Sequence, residues 1–138
     1  MFNYMRKAHY HETDQMGIIH HANYIKWMEE ARLAYLEALG LGYQEVEAQQ
    51  VFSPVVNVQV SYKQPVHFAD EVSIKVSVKT YSGVKLELAY EFFNKTTQQV
   101  CAAGVSEHCF IKGGKIISLK RDMPALHEKI LLLVPPAQ

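Results

Sequence analysis

Two cysteines, Cys101 and Cys109, are all that this 138-residue chain contains, too few for a small scaffold stapled by disulfides. If both lie on one strand, the eight residues between them, at about 3.3 Å each, put them roughly 26 Å apart, beyond disulfide reach. A reducing, cytoplasmic setting is the expectation. Long hydrophobic runs are missing too. The longest aliphatic stretch, residues 130–134, falls far short of the roughly 20 residues that span a bilayer, and Arg6, Lys7, Glu12 and Asp14 interrupt any apolar leader core. Fourteen basic side chains balance fourteen acidic ones, so no net field draws nucleic acid or an anionic membrane surface, and neither is expected as a partner. No repeat, low-complexity tract or Pro/Gly/Ser linker divides the chain. One domain over residues 1–138 is expected, long enough to bury a core. The G-x-S-x-G elbow and the G-x-x-x-x-G-K-[ST] phosphate loop are absent, and Gly40-Leu41-Gly42 follows a helical pattern, not a strand, so it is no dinucleotide fingerprint.

What is present changes period once. Residues 3–11 alternate and read as a first strand, and Gly17 turns the chain toward a helix over residues 21–39. Tyr24, Trp27, Met28, Ala31, Ala34, Tyr35 and Ala38 recur at three and four residues as one apolar stripe. Lys26, Glu29, Glu30, Arg32 and Glu37 take the other faces, with intrahelical pairs expected among Glu29, Glu30 and Arg32, and Gly40 is placed to end the helix. Leu33 and Leu36 fall outside the stripe, which predicts cover on more than one side. After a short helical connection over residues 43–50 the period becomes two. Strands are predicted over residues 56–63 (stopped by Pro65), 72–79, 84–92 and 100–111, with Gly113-Gly114 making a hairpin into Ile116 and Ile117. Short turns between consecutive strands favour antiparallel pairing. One early helix followed by such a meander buries both if the sheet wraps the helix, an α+β architecture.

The chemistry concentrates in Thr13-Asp14-Gln15-Met16-Gly17-Ile18-Ile19-His20-His21-Ala22-Asn23-Tyr24. A carboxylate, a tight glycine turn and two imidazoles stand directly ahead of the helix. A helix start offers unpaired N–H groups and partial positive charge, suited to an oxygen gaining negative charge. An acid seven residues upstream can attack a carbonyl held there, or activate water to do so.

These residues resemble the 4-hydroxybenzoyl-CoA thioesterase / YbgC-type acyl-CoA thioesterase family. The likeness rests on Thr13-Asp14, Gly17-Ile18-Ile19, His21, Asn23-Tyr24 and Glu29-Glu30-Ala31-Arg32. It continues more loosely through residues 62–70 and the strands to Ile111. The resemblance implies a hot-dog fold, an antiparallel five- to six-stranded sheet wrapped around one long helix. It implies hydrolysis of an acyl-CoA thioester with no metal or redox cofactor, coenzyme A entering only as part of the substrate. It places Asp14 as general base or nucleophile and the backbone N–H near His21 as oxyanion donor. Gly17, Tyr24, Tyr62 and Lys63 are candidate substrate-binding residues. A homodimer or a dimer of dimers is implied, with residues 62–67 of one subunit completing the site around Asp14 of another.

Each candidate has a plainer reading. Asp14 alone is also a turn-forming residue, although it lies too far ahead of the helix for a simple N-cap. His20 and His21 invite a metal with His9 and His11, but no Cys or carboxylate cluster at zinc-like spacing accompanies them. His20 stands where relatives more often carry an aromatic residue. Tyr24 reads as core that at most lines an acyl tunnel. His67 sits in a loop like that of hot-dog dehydratases, yet the His-Phe-Pro-Gly pattern is missing and a structural role fits better. Lys85, Lys112, Lys115, Lys120 and Arg121 compete with Lys63 for the phosphates of coenzyme A. An acyl-carrier-protein thioesterase, a hydratase, and a non-catalytic acyl-CoA or small-ligand binding module are the alternatives. Acyl length, aromatic or aliphatic character and pathway are not encoded in these motifs.

Overall fold

The computed structural model of the protein describes residues 2–40 and 43–136. Its long helix, α1 (His21–Ala38), is followed by a short α2 (Tyr43–Ala48). The strands in chain order are β1 (Phe2–Lys7), β2 (Val51–Phe52), β3 (Val55–Tyr62), β4 (Glu71–Tyr81), β5 (Leu86–Asn94), β6 (Gln99–His108), β7 (Ile111–Lys112) and β8 (Lys115–Ile116). Two helices close the chain, α3 (Leu119–Asp122) and α4 (Pro124–Leu131).

Five strands form one sheet in the order β1-β4-β5-β6-β3, antiparallel at every pairing. A three-stranded ribbon, β2-β7-β8, stands apart. Val72, Ile74, Val76 and Val78 of β4 and Leu86, Leu88, Tyr90 and Phe92 of β5 are buried on one sheet face. Trp27, Met28, Ala31 and Tyr35 of α1 are buried in the same core. The sheet thus wraps the helix, the hot-dog arrangement expected. Contact is close at Gly104, where an added Cβ would lie 3.0 Å from Met28 Cε and 3.1 Å from the Gln59 carbonyl.

Several boundaries move from their sequence positions for local reasons. The first strand stops at Lys7 rather than residue 11. Ala8 N–H donates to the Asp70 carbonyl at 2.8 Å, and the chain then coils into a 3-10 turn, Tyr10–Glu12. The strand after Gly83 begins two residues late, because Ser82 Oγ accepts from the N–H groups of Val84 and Lys85. The strand drawn to Ile111 ends at His108, and Ile111 pairs with Phe52 of the small ribbon instead. On α1, Ala38 is exposed and Arg32 is buried, the reverse of the sequence reading. Glu29 does sit beside Arg32, at 3.7 Å, but Glu30 turns to Arg6 Nε (2.9 Å) and the Tyr4 hydroxyl (3.0 Å). Gly40, with φ at +78°, ends the helix as expected. Lys129 of α4 adds a cap by donating to the Leu39 carbonyl at 2.8 Å.

The N-terminal end of α1 hangs on Glu12. Its buried carboxylate accepts from His9 N–H (2.9 Å), from both terminal nitrogens of Arg6 (3.0 and 2.8 Å) and from Trp27 Nε1 (2.8 Å). Its carbonyl accepts from His20 N–H and from Asn23 Nδ2, each at 2.9 Å. Arg6 also stacks over the Trp27 ring at 5.2 Å. Burial pushes the Glu12 carboxyl up, but the bonds from Trp27, His9 and Arg6 outweigh it and hold it below the ordinary value of 4.5. Stability from a depressed carboxyl is complete above its unfolded value and fades as pH falls through the lower folded value. Glu12→Gln should therefore cost about 1.5–3 kcal/mol at pH 7, by removing one of the two carboxylates that Arg6 pairs with and leaving Glu30 as the other. In urea melts, the gap to the parent protein should narrow once the pH drops below about 4.

Candidate active site

Asp14 sits at the turn between the 3-10 segment and α1. Its N–H donates to the Ile18 carbonyl (2.8 Å), its carbonyl accepts from Gly17 N–H (3.0 Å), and Oδ1 accepts from Met16 N–H (2.8 Å). This tight hairpin needs Gly17 at a φ of +78°, a conformation that side chains disfavour. A bridge between Thr13 and Ile19 closes it, and one between Ile18 and His67 ties it to the loop after β3. Asp14 Oδ2 has no hydrogen-bond partner among the described residues.

The helix start follows at once. His20 is the N-cap, its Nδ1 accepting from Ala22 N–H at 3.1 Å, and Asn23 N–H returns to the His20 carbonyl at 3.0 Å. Among the described residues nothing accepts from the His21 N–H. The His20 and His21 rings stack with centroids 4.3 Å apart. Tyr62, at the end of β3, donates its hydroxyl to the His21 carbonyl at 2.9 Å and meets the Tyr24 ring edge-on at 5.0 Å.

An open cavity of about 420 Å³ lies between this helix start and the end of β3. Asp14, His21, Tyr24, Tyr62 and Lys63 all line it. Gly17 lies off the lining and serves the turn. Tyr24 is core as well as wall, 3% exposed and packed against Trp27 and Phe92. Burial, with Cys101 and Tyr62 adding to it, raises the Tyr24 phenol above its ordinary value, and burial raises that of Tyr62, so both rings keep their protons near neutrality. Tyr62 and Lys63 at the strand end and Asp14 meet at this cavity within one chain.

Other candidates fall elsewhere. His20 caps the helix and does not line the cavity. His67 belongs to a structural knot, with the buried Asp70 carboxylate accepting from His67 N–H and from Asn94 Nδ2, both at 2.9 Å. Of the basic residues proposed for phosphate contact, only Lys63 reaches the cavity. Lys85 pairs with Glu107 at 3.2 Å and Arg121 with Asp122 at 3.1 Å. Burial raises the Cys101 thiol to about 11, which leaves it protonated and a poor nucleophile. His9 and His11 touch each other, with ring centroids 5.4 Å apart. Among the described residues, no three His, Cys, Asp or Glu side chains gather into a metal-binding group. Met16, Ile18, Ile19, Gln64 and Pro65 complete the wall. Ile18 and Ile19 stand in the motif that carries the resemblance; adjacency to Asp14 and Lys63 in sequence was the only signal for Met16, Gln64 and Pro65.

Comparison with known proteins bears on the family and the fold. The chain is 36% identical over 122 residues to acyl-CoA thioesterase YneP of Bacillus subtilis, with 88% of each chain covered. It is 27% identical over 106 residues to a 1,4-dihydroxy-2-naphthoyl-CoA hydrolase of Trichodesmium erythraeum, covering 76% of this chain and 77% of that one. The crystal structure of a DHNA-CoA thioesterase from Staphylococcus aureus superimposes with a TM-score of 0.90 at 36% identity, covering 94% of this chain and 88% of that one. Residues 8–130 match the thioesterase-like superfamily, and the chain belongs to that superfamily, with its hot-dog fold.

Proposed function

We propose that the protein hydrolyses acyl-CoA thioesters in the cavity at the start of α1. The observation that carries this reading is the shared cavity, lined both by a carboxylate with one oxygen unpartnered among the described residues and by a helix start whose first amide has no acceptor among them. Asp14 Oδ2 takes a proton from water, and the water oxygen attacks the thioester carbonyl. Charge gathers on the carbonyl oxygen, where the His21 N–H and the helix dipole stabilise it. The intermediate expels the thiolate of coenzyme A as the C–S bond breaks, and the proton on Asp14 passes to that sulfur. Met16 N–H fixes Oδ1, so the reacting oxygen is held in one orientation. Lys63 supplies a cation for the phosphates of coenzyme A. No metal is invoked, since the helix start does the polarising work of a Lewis acid.

One observation favours a rival reading. The bond from Met16 to Asp14 is that of a turn-forming aspartate, which would suit a non-catalytic binding module. Asp14→Asn separates the two, because it keeps the turn and removes the charge. Its kcat with acyl-CoA should fall by about 10²–10⁴ while binding persists; unchanged turnover would end the catalytic assignment. Single turnover in ¹⁸O-water should label the released acid and not Asp14, as direct attack by water requires. Running the assay with acyl-carrier-protein thioesters beside acyl-CoA identifies the carrier.

Hydrolysis should also survive exhaustive chelation with EDTA. Loss of activity that zinc restores would support the histidine cluster instead.

We further propose self-association through β3. This eight-residue edge strand leaves Val55, Val56 and Tyr62 about half exposed, and an uncovered apolar edge invites pairing with another strand. Sedimentation should give a dimer or a dimer of dimers. A stable, fully active monomer would refute this.

A further inference from the structure

A second polar centre lies further along α1 and β3. A cavity of about 140 Å³ between these two elements and a smaller one of about 40 Å³ are both lined by Arg32 and His108. The α1 residues lining the first cavity and this one, His21 and Tyr24, then Ile25, Met28 and Arg32, follow helical spacing along one stripe. Tyr62 walls the first cavity, and Val58 and Val55 of the same strand wall the second. One helix face and one strand thus run from the reaction centre to Arg32, about 16 Å along the axis at 1.5 Å per residue. Helical side chains lean toward the N-terminus, so the guanidinium reaches back along that path.

One buried polar atom there lacks a partner. The Tyr90 hydroxyl, Ser106 Oγ and His108 Nε2 form a string with 2.7 Å at each step. His108 is 1% exposed, and its Nδ1 has no partner among the described residues. Burial, with Arg32 adding to it, lowers the His108 imidazole to about 4, so it is neutral at physiological pH. The direction of the string sets the tautomer. If Tyr90 donates to Ser106 and Ser106 to Nε2, the proton sits on Nδ1 and is the one without an acceptor among the described residues; the reverse order moves that shortfall to the Tyr90 proton. In the first order the ring offers Nδ1–H as a donor. Arg32 is 8% exposed, and among the described residues its ion-pair partner is Glu29, which stands off at 3.7 Å with a side chain 64% exposed. Glu47 also lines the smaller cavity. Two donors, one of them cationic and shaped to grip a carboxylate with two bonds, line a space walled by aliphatic side chains, by Glu29 and by the Tyr90–Ser106 pair. Leaving a buried donor unserved is costly.

We propose that this pocket receives a carboxylate at the far end of the acyl group, so that the protein prefers acyl thioesters with an acidic tail. The inference rests on the hydrolytic reading for its link to turnover, but the binding site itself does not. Arg32 holds the carboxylate through paired N–H groups, His108 Nδ1–H adds a third bond, and the aliphatic walls pack the chain between. The plainer alternative is a buried water on Nδ1.

Two measurements test it. Across a length series, kcat/KM for ω-carboxyacyl-CoA should exceed that of the unsubstituted acyl-CoA of equal length by on the order of tenfold or more at the best length, the worth of one charge-assisted bond. Arg32→Gln should abolish that preference. Equal turnover of both series, a preference unchanged in Arg32→Gln, or an ω-hydroxyl giving the full gain overturns the proposal. If Arg32→Gln does not fold, His108→Leu carries the test, with a loss of preference of about three- to tenfold. The second measurement needs no turnover, so it stands even if no thioester is hydrolysed. The ¹⁵N resonances of the His108 ring in the intact protein should shift and saturate as sebacate is added. No shift would leave water as the occupant and overturn the proposal. An equal shift with acetate would mark a free-anion site and overturn the acyl-tail assignment.

Discussion

A single buried carboxylate holds the reactive end of this molecule together. Glu12 takes hydrogen bonds from strand β1, from the backbone of the 3-10 turn and from the indole of α1, and its own carbonyl receives the amide of His20. Asp14 lies two residues beyond it and His21 nine. The acid and the helix start are therefore both tied to Glu12, with the Asp14–Ile18 hairpin spanning the residues between. Buried ion pairs add little net stability compared with apolar packing, but removing one partner is severe. That asymmetry suits a residue whose task is to define a geometry.

The elements visible in the sequence were those whose pattern is local. The three-and-four spacing of Tyr24, Trp27, Met28, Ala31 and Tyr35 marks a helix whatever surrounds it, and the alternation in β4 and β5 marks strands buried on one face. Asp14, His21, Tyr24, Tyr62 and Lys63 were legible as candidates through short motifs and resemblance, and the fold brings the five to one cavity. Which of them react is a question of chemistry that position alone does not answer.

What escaped the sequence depends on partners distant along the chain. Arg32 between acids reads as a solvated helix face, and only the curl of β3 and β6 beneath α1 puts it indoors beside His108. Glu12 reads as a charge that breaks an apolar run, because its indole partner is fifteen residues away. The break after His108 is invisible locally, since Phe110 and Ile111 continue the apolar pattern. It follows from the pairing of β7 with β2, some sixty residues earlier by number. The closing helices carry Leu119, Met123, Leu126 and Ile130 at helical spacing, a signal that short polar interruptions obscure.

The bond from Lys129 to the Leu39 carbonyl gives α1 a second anchor, at the end opposite Glu12. A rod clamped at one end can pivot or slide; a rod clamped at both behaves as a beam. The eighteen residues of α1, about 27 Å by helix rise, are thus tied down at both ends, by β1 and the 3-10 turn at one and by α4 at the other. The last helix of the chain thereby helps to place the helix whose first turn lines the cavity, although no side chain of α4 lines it.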